Sequence, residues 1–309
     1  MSKNSPKNHW QNYTHRNLWQ HPLWAKFQES AGRKTFLVEV EKAQAQVVKH
    51  QLPMNLCWLE IPRGPLFESG EALKKLMEKV KHLAKKEKAI YVRLSPYQAL
   101  SIKNLKLKIG PGHRHPEASV ILDLSLSEED LLKQMKPKGR YNIKVAKKHE
   151  VEVKPSDDVK TFYRLLVKTG GRDAFRIHPQ RYYEAMLKSF GDHAQLLMAY
   201  KNGEPIAGGI FVYVEAWGIY YYGASNHDHR KLMAPYLLQW EAILEAKKRG
   251  CQFYDFLGIA PEGAENHPWA GVTQFKKKFG GKIVHYPKPV EWTVKPFWHV
   301  LYKLRQKLR

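Results

Sequence analysis

A long apolar segment, GGIFVYVEAWGIYYYGA at residues 208–224, limits what this chain can fold into more than any other feature. A membrane helix needs roughly 20 uninterrupted apolar residues, whereas this segment is shorter and carries Glu215 in its interior. Its β-branched and aromatic residues are typical of strands. The segment therefore predicts two antiparallel strands joined by a turn.

The elements predicted around this hairpin follow a fixed order. Helical periodicity predicts helices at 159–168 and 179–190 before it and at 235–249 after it, the last one ended by Gly250. Short apolar runs predict strands at 195–200, 206–213 and 218–223 in the antiparallel meander, and another at 252–257. Strand, helices, meander, helix and strand is the order of an acyltransferase fold of the acetyltransferase type.

The first half of the chain also alternates helices and strands. Apolar residues at helical spacing predict an amphipathic helix at 71–88, followed by a strand, AIYVRLS, that Pro96 closes. A strand at 119–124 and a helix capped by Ser127 then repeat the pattern. We therefore predict an α/β (α+β) protein with two tandem acetyltransferase-like (GNAT-type) domains and mixed, largely antiparallel sheets. The turn-rich stretch 103–117 predicts the boundary, with domains at 1–117 and 118–288.

The charge of the chain indicates an acidic partner. Lys and Arg number 52 and Asp and Glu 29, which gives a formal net charge of +23. Such an excess favours encounters with nucleic acid, phosphorylated substrates or anionic membranes. The two cysteines, Cys57 and Cys251, have neither disulfide-framework nor zinc-site spacing, and the first ten residues do not resemble a secretory signal. We therefore expect a cytoplasmic protein with no metal site.

Several motifs for catalysis are missing from the sequence. It contains no GxSxG elbow, no GxxxxGK[ST] loop, no HExxH and no GxGxxG after a strand. Coenzyme A enzymes cradle a pyrophosphate on the amides of an R/Q-x-x-G-x-G/A turn before the helix that follows the meander. Here Met233 stands at the first glycine position and Pro235 lacks an amide. We therefore expect no coenzyme A and another activated acyl donor.

Four segments together resemble the Fem-type (FemABX) peptidoglycan-bridge aminoacyltransferases, in the compact form without a helical-hairpin insertion. These segments are LWAKFQ at 23–28, YGAS with MAPYLLQWEAI within 222–243, YDFLGI at 254–259 and GVTQFKKKFGG at 271–281. The resemblance implies transfer of an amino acid from aminoacyl-tRNA to an amine of a peptidoglycan precursor stem peptide, with no cofactor. It also implies that the tail, 289–309, returns to the first domain.

The same resemblance supplies candidate site residues. Phe275 and Lys276 match the family's Phe-Lys motif at the acyl-tRNA end, which makes them the candidate catalytic residues. Lys26, in the WAK motif, is the candidate contact to a precursor phosphate. His178 stands where compact members place a precursor-binding arginine, so Arg176 is the candidate replacement and Arg181 the alternative. Tyr222 and Asp255 complete the candidate substrate-binding set, although an aromatic core residue and a buried orienting carboxylate remain alternatives for these two.

Some alternatives stay open at this point. The chain could be a coenzyme A-dependent N-acyltransferase on another amine, or a tRNA- or RNA-binding module without the reaction. The precursor could be nucleotide-linked or lipid-linked. The basic, amphipathic run 295–309 could dock on the first domain or rest on an anionic membrane, which would bring the protein to the inner membrane face.

Overall fold

The computed structural model describes residues 17–100, 105–112, 114–173, 177–264 and 267–307. It divides the chain into two compact units, one formed by residues 1–115 and 286–309 and the other by residues 116–285. Within the described residues, no helix combines the length and apolar character needed to span a bilayer.

The first unit is a sheet covered by helices. Its strands are β1 (Lys34–Val40), β2 (Ala43–Gln51), β3 (Cys57–Pro62), β4 (Leu66–Phe67), β5 (Ala89–Ser95), β6 (Lys108–Ile109) and, far along the chain, β14 (Val290–Thr293). Their order is β1-β2-β3-β5-β14-β6, with β4 paired to β2. Its helices are α1 (Pro22–Ser30), α2 (Gly70–Lys86) and α9 (Pro296–Lys307).

The amphipathic helix predicted at 71–88 is confirmed as α2. Ser69 caps it, because its side chain accepts a hydrogen bond from the Ala72 amide. The helix buries Leu76, Met77 and Val80 in the core of the first unit, while its lysines face outward. The strand predicted immediately afterwards is confirmed as β5, which is buried along its whole length.

The second unit contains the other mixed sheet. Its strands are β7 (Ala118–Asp123), β8 (Glu152–Pro155), β9 (Ala194–Lys201), β10 (Glu204–Val214), β11 (Trp217–Ser225), β12 (Phe253–Asp255) and β13 (Lys282–His285). Their order is β13-β7-β12-β11-β10-β9-β8. Its helices are α3 (Glu128–Gln134), α4 (Pro137–Lys148), α5 (Val159–Asp173), α6 (Gln180–Phe190), α7 (Ala234–Lys248) and α8 (Ala270–Lys276).

The predicted hairpin is confirmed as β10 and β11. Val214 pairs with Trp217, so Glu215 and Ala216 form the turn, and Glu215 has a left-handed backbone with φ of 53°. β10 is buried along most of its length, and β11 is buried at 217–219 and at Ala224, because β9 and β12 flank them and α7 packs on the sheet. The helix predicted at 159–168 extends further, to Asp173, and the strand predicted at 252–257 is shorter, since pairing ends at Asp255.

Candidate functional site

A cavity of about 660 Å³ opens in the second unit where two parallel strands separate. The pairing of β11 with β12 ends at Ile219 and Asp255. Beyond this point the two segments diverge, and the residues that follow line the cavity together with α7 and α8. Among the lining residues are Tyr220, Tyr221, Tyr222, Gln239, Leu257, Gly258, Trp269, Gly271, Phe275 and Lys276. This cavity is the candidate active site.

Lys276 is a buried cation in the wall of this cavity. The residue is 7% exposed, and its Nζ donates hydrogen bonds to the carbonyl oxygens of Leu257 at 2.7 Å and Gly258 at 2.8 Å. A lysine ammonium has three N–H donors, so within the described residues these carbonyls engage two of them. The third is left for an oxygen atom of a ligand in the cavity.

Burial also changes the protonation of Lys276. Desolvation penalises the charged ammonium and lowers the pKa of Lys276 to about 7, while the negative charge of Asp255 acts in the opposite direction. The side chain therefore changes between ammonium and free amine near neutral pH. A perturbed lysine in a cleft is typical of a functional site rather than of a solvated surface.

Asp255 lies behind this wall rather than in it. The residue is 2% exposed, and its carboxylate accepts hydrogen bonds from the Ser119 hydroxyl and from the Leu257 amide, the latter at 2.7 Å. Leu257 adopts a left-handed backbone with φ of 50°. These bonds hold the turn whose carbonyl oxygens bind Lys276. The contacts of Asp255 are thus those of a positioning carboxylate, although the sequence made it a candidate substrate-binding residue.

Phe275 precedes Lys276 and contributes an aromatic surface to the same cavity. Its ring packs edge-on against Tyr236, with centroids 5.0 Å apart, and against Phe279, with centroids 5.4 Å apart. The residue is only partly buried, so part of the ring remains available to a planar group. Aromatic stacking on bases contributes about 1–3 kcal/mol per base in single-stranded nucleic acid binding.

Three consecutive tyrosines, Tyr220, Tyr221 and Tyr222, line the cavity beside Lys276. Strand alternation would normally separate neighbours onto opposite faces. The pairing with β10, however, is irregular here: Ile210 pairs with Tyr222, and the next residue, Phe211, pairs with Tyr220. Tyr221 is therefore the extra residue of a β-bulge. Burial raises the pKa of Tyr222, so its hydroxyl stays protonated at neutral pH.

Sequence analysis missed Tyr220, whose ring centroid lies 5.6 Å from Lys276 Nζ. It also missed Gln239, which lines the cavity and accepts a hydrogen bond from the Tyr254 hydroxyl at 2.8 Å. Strand alternation does not indicate Tyr220, because the bulge at Tyr221 interrupts the alternation between Tyr220 and Tyr222. No sequence signal marks Gln239 either, since α7 is buried on most of its surface.

The turn before α7 is unsuited to coenzyme A. Met233 is the residue before the helix and adopts a left-handed backbone with φ of 54°, and Pro235 occupies the first turn. Such a turn presents a methionine side chain and lacks one amide where a pyrophosphate would need closely spaced N–H donors. A second cavity, of about 220 Å³, borders this turn and shares Ser225, Pro235 and Phe275 with the first one.

Comparison with known proteins assigns the chain to a family. The model of the FemAB family matches residues 1–115, 109–204 and 200–307, which is nearly the whole chain. The chain belongs to the FemAB family. A relative named Lipid II:glycine glycyltransferase, from Staphylococcus haemolyticus, is 20% identical over 313 residues, covering 74% of this chain and 75% of the relative. The protein of the same name from Staphylococcus epidermidis is 21% identical over 340 residues, covering 84% of this chain and 82% of the relative.

The crystal structure of FemX matches this FemAB-family chain with a TM-score of 0.84 and 18% identity, covering 97% of this chain and 99% of FemX. The fold class predicted from the order of elements, two tandem acetyltransferase-like domains with mixed sheets, is confirmed. The resemblance to Fem-type proteins noted from the four segments is confirmed as well.

Of the remaining candidate residues of the FemAB-family chain, the structure describes Lys26, which belongs to the first unit. Lys26 is on α1 of the first unit, exposed, because Trp24 and Phe27 occupy the buried face of this helix. Arg176 lies outside the described residues. The structure thus brings together Tyr222, Phe275 and Lys276, places Asp255 directly behind them, and leaves Lys26 on the other unit.

Proposed function

We propose that this protein transfers an aminoacyl group from aminoacyl-tRNA to an amine of a peptidoglycan precursor stem peptide, forming a peptide bond. FemAB-family membership supports this function, as does the name of its relatives, Lipid II:glycine glycyltransferase. The formal charge of +23 is consistent with two polyanionic substrates, a tRNA and a phosphate-containing precursor.

The observation that carries the proposal is the buried ammonium of Lys276 in an aromatic cavity. In the reaction, the acceptor amine attacks the ester carbonyl, a C–N bond forms and the ester C–O bond breaks. The ribose oxygen of the tRNA leaves and takes up the proton that the amine loses, which restores the tRNA hydroxyl. Because the ester is already activated, the protein mainly has to align the two groups and stabilise the developing oxyanion. The free N–H donor of Lys276 is suited to that task.

Two other functions are less well supported. A coenzyme A-dependent acyltransferase would need pyrophosphate-binding amides at the turn that holds Met233 and Pro235. A non-catalytic RNA-binding module has no need of a lysine whose pKa burial lowers to about 7, since solvent-exposed lysines attract phosphates equally well.

A transfer assay separates these functions. Protein is incubated with a panel of labelled aminoacyl-tRNAs, beginning with glycyl-tRNA, and with nucleotide-linked or lipid-linked precursor; labelled acetyl-coenzyme A is the control donor. We expect label in the precursor only from an aminoacyl-tRNA. Label arriving only from the thioester would contradict the proposal, and tight tRNA binding without transfer to any acceptor would favour the RNA-binding module.

The role of Asp255 can be tested through the pH dependence of transfer. The Asp255 carboxylate raises the pKa of Lys276, so Asp255→Asn should lower it further below its present value of about 7. Because lysine is charged only below its pKa, turnover should fall several-fold at neutral pH, with less effect under acidic conditions. The alkaline limb of the pH profile should move to lower pH, as should the titration of Lys276 measured by NMR.

Ser119→Ala is the matched control for this test. It removes one hydrogen bond to Asp255 but keeps the carboxylate charge. We expect the alkaline limb to stay in place for Ser119→Ala. An Asp255→Asn protein with an unshifted pH profile and uniformly reduced turnover would mean that Asp255 supports only the local fold.

A further inference from the structure

The C-terminal helix α9 is held to the first unit by one of its faces. Trp298 and Tyr302 pack on a cluster formed by Trp58, Ile90 and Tyr91. The ring of His299 stacks on Tyr91 with centroids 4.4 Å apart. An ion pair of 3.0 Å joins Lys303 Nζ to the buried carboxylate of Glu291 on β14. These contacts fix which side of the helix faces the unit.

The opposite face of α9 is apolar and exposed. It carries Phe297, Val300, Leu301 and Leu304, which are 73%, 59%, 48% and 54% exposed. Their spacing of three, four and seven residues places them in one line along the helix. We call these four residues the outward stripe. A water-facing stripe of large apolar side chains on a helix that is already docked indicates a second binding partner.

Basic residues stand beside the outward stripe. Arg305 is exposed on α9, and Lys295 precedes the helix. Lys303 keeps 40% of its side chain exposed while it pairs with Glu291. In the sequence, Leu308 continues the spacing of the stripe and Arg309 adds a cation, although both lie outside the described residues. The face therefore presents an apolar line bordered by positive charge.

We propose that the outward stripe of α9 inserts into the headgroup region of an anionic lipid membrane, with the helix lying parallel to the surface. An amphipathic helix binds there by burying its apolar face, while Lys and Arg contact anionic headgroups. A nucleic acid would satisfy the cations but leave the apolar stripe in water. A second copy of the chain is disfavoured by area: a helix of 12 residues is about 18 Å long, too small alone for the ~800 Å² per partner of a standard interface.

Vesicle flotation tests this proposal without reference to any transfer activity. The protein is mixed with vesicles of phosphatidylcholine, with or without phosphatidylglycerol, at low and at raised salt. Raised salt screens the general attraction of a chain with charge +23 to anionic lipid, so that the apolar contribution remains. We expect the wild-type protein to float with the anionic vesicles under both conditions.

The test variant combines Phe297→Gln, Val300→Gln, Leu301→Gln and Leu304→Gln. Glutamine is a good helix former, and the residues that dock α9 on the first unit are unchanged. This variant should bind anionic vesicles about 100-fold more weakly at raised salt. The matched control replaces four exposed apolar residues elsewhere, Leu37, Ile109, Tyr141 and Val167, by Gln, and should bind within about 3-fold of the wild type. Circular dichroism checks that both variants remain folded.

A second readout reports on insertion directly. The fluorescence of Leu301→Trp should shift to shorter wavelength on addition of anionic vesicles, which places this position in an apolar medium. Equal vesicle binding by the test and control variants would overturn the proposal, because binding would then be general electrostatics. A second result would also overturn the proposal. It is a wild-type protein that does not bind vesicles and that forms a dimer in light scattering, while the test variant stays monomeric.

Discussion

Replacing Lys276 by alanine is expected to lower aminoacyl turnover by about 100-fold or more at saturating tRNA. The ammonium is buried and already fixed by the carbonyl oxygens of Leu257 and Gly258. It therefore needs no reorganisation to meet a developing oxyanion in the cavity. Loss of one such preorganised donor costs on the order of 10²–10³ in turnover. Single-turnover transfer with the labelled aminoacyl-tRNA measures the effect on the chemical step.

The neighbouring lysines supply the controls for this experiment. Lys277 and Lys278 follow in a short 3-10 helix. Lys277→Ala and Lys278→Ala should chiefly weaken tRNA binding and reduce its salt dependence. Lys277 is the cleaner control, since Lys278 also donates a hydrogen bond to the Tyr236 hydroxyl at 2.9 Å. Equal, modest losses at all three positions, recovered at higher tRNA concentration, would show that the segment is a general basic patch.

A methyl group at Gly223 should also reduce turnover by about 100-fold, because misplacing a group of the site by about 1 Å costs on that order. A Cβ atom at this position would lie 1.7 Å from the Tyr220 hydroxyl oxygen and 2.5 Å from Cζ of the same ring. Tyr220 cannot yield easily, because its ring stacks on Phe211 with centroids 5.6 Å apart. Gly223→Ala must therefore displace the Tyr220 ring, which lines the cavity with its centroid 5.6 Å from Lys276 Nζ. Overpacking of this kind costs about 1–3 kcal/mol of stability.

Gly271→Ala is the matched control for Gly223→Ala. Gly271 lines the same cavity, but an added Cβ there would meet no atom within 4 Å among the described residues beyond its chain neighbours and its own helix backbone. We expect its turnover to stay within about 3-fold of the wild type. In a protein that already carries Tyr220→Ala, adding Gly223→Ala should lower turnover little further, because the ring with which the added methyl group would clash is gone. Additive losses in that double variant would mean that Gly223 acts through some other contact.

Local pattern was sufficient to predict the helices and strands with clear apolar periodicity, but it did not predict β1–β4, β6, β8, β13 and β14. The hairpin β10–β11 and the helix α2 follow from the period of their apolar residues, which is a property of consecutive positions. Ser127 was correctly predicted as a helix cap, since its side chain accepts a hydrogen bond from the Asp130 amide. Ends of elements were less accurate: β12 stops at Asp255 because its partner strands stop pairing there.

The site was predicted less completely than the fold. The motif residues Tyr222, Phe275 and Lys276 were named from sequence, and all three line one cavity. Asp255 was named too, but sequence could not decide between ligand contact and a buried orienting carboxylate. Its place behind the cavity wall depends on Ser119, which is 136 positions away in the chain. The role of Lys26 in binding a precursor phosphate stays a prediction.

By itself, the sequence determined the helices and strands with clear apolar periodicity, the family, and the excess of positive charge. The first two are carried by residue types at short spacing, and the charge is carried by composition. Only the tertiary structure decided that Lys276 is a desolvated donor rather than one more lysine of the run 276–278. The reason is physical: folding buries the side chain, which lowers the pKa of Lys276 to about 7 against the opposing charge of Asp255, and it brings the carbonyl oxygens of Leu257 and Gly258 within hydrogen-bond distance of Nζ. The same holds for α9, whose sequence permitted docking or membrane contact. Folding buries one face and leaves the outward stripe in water.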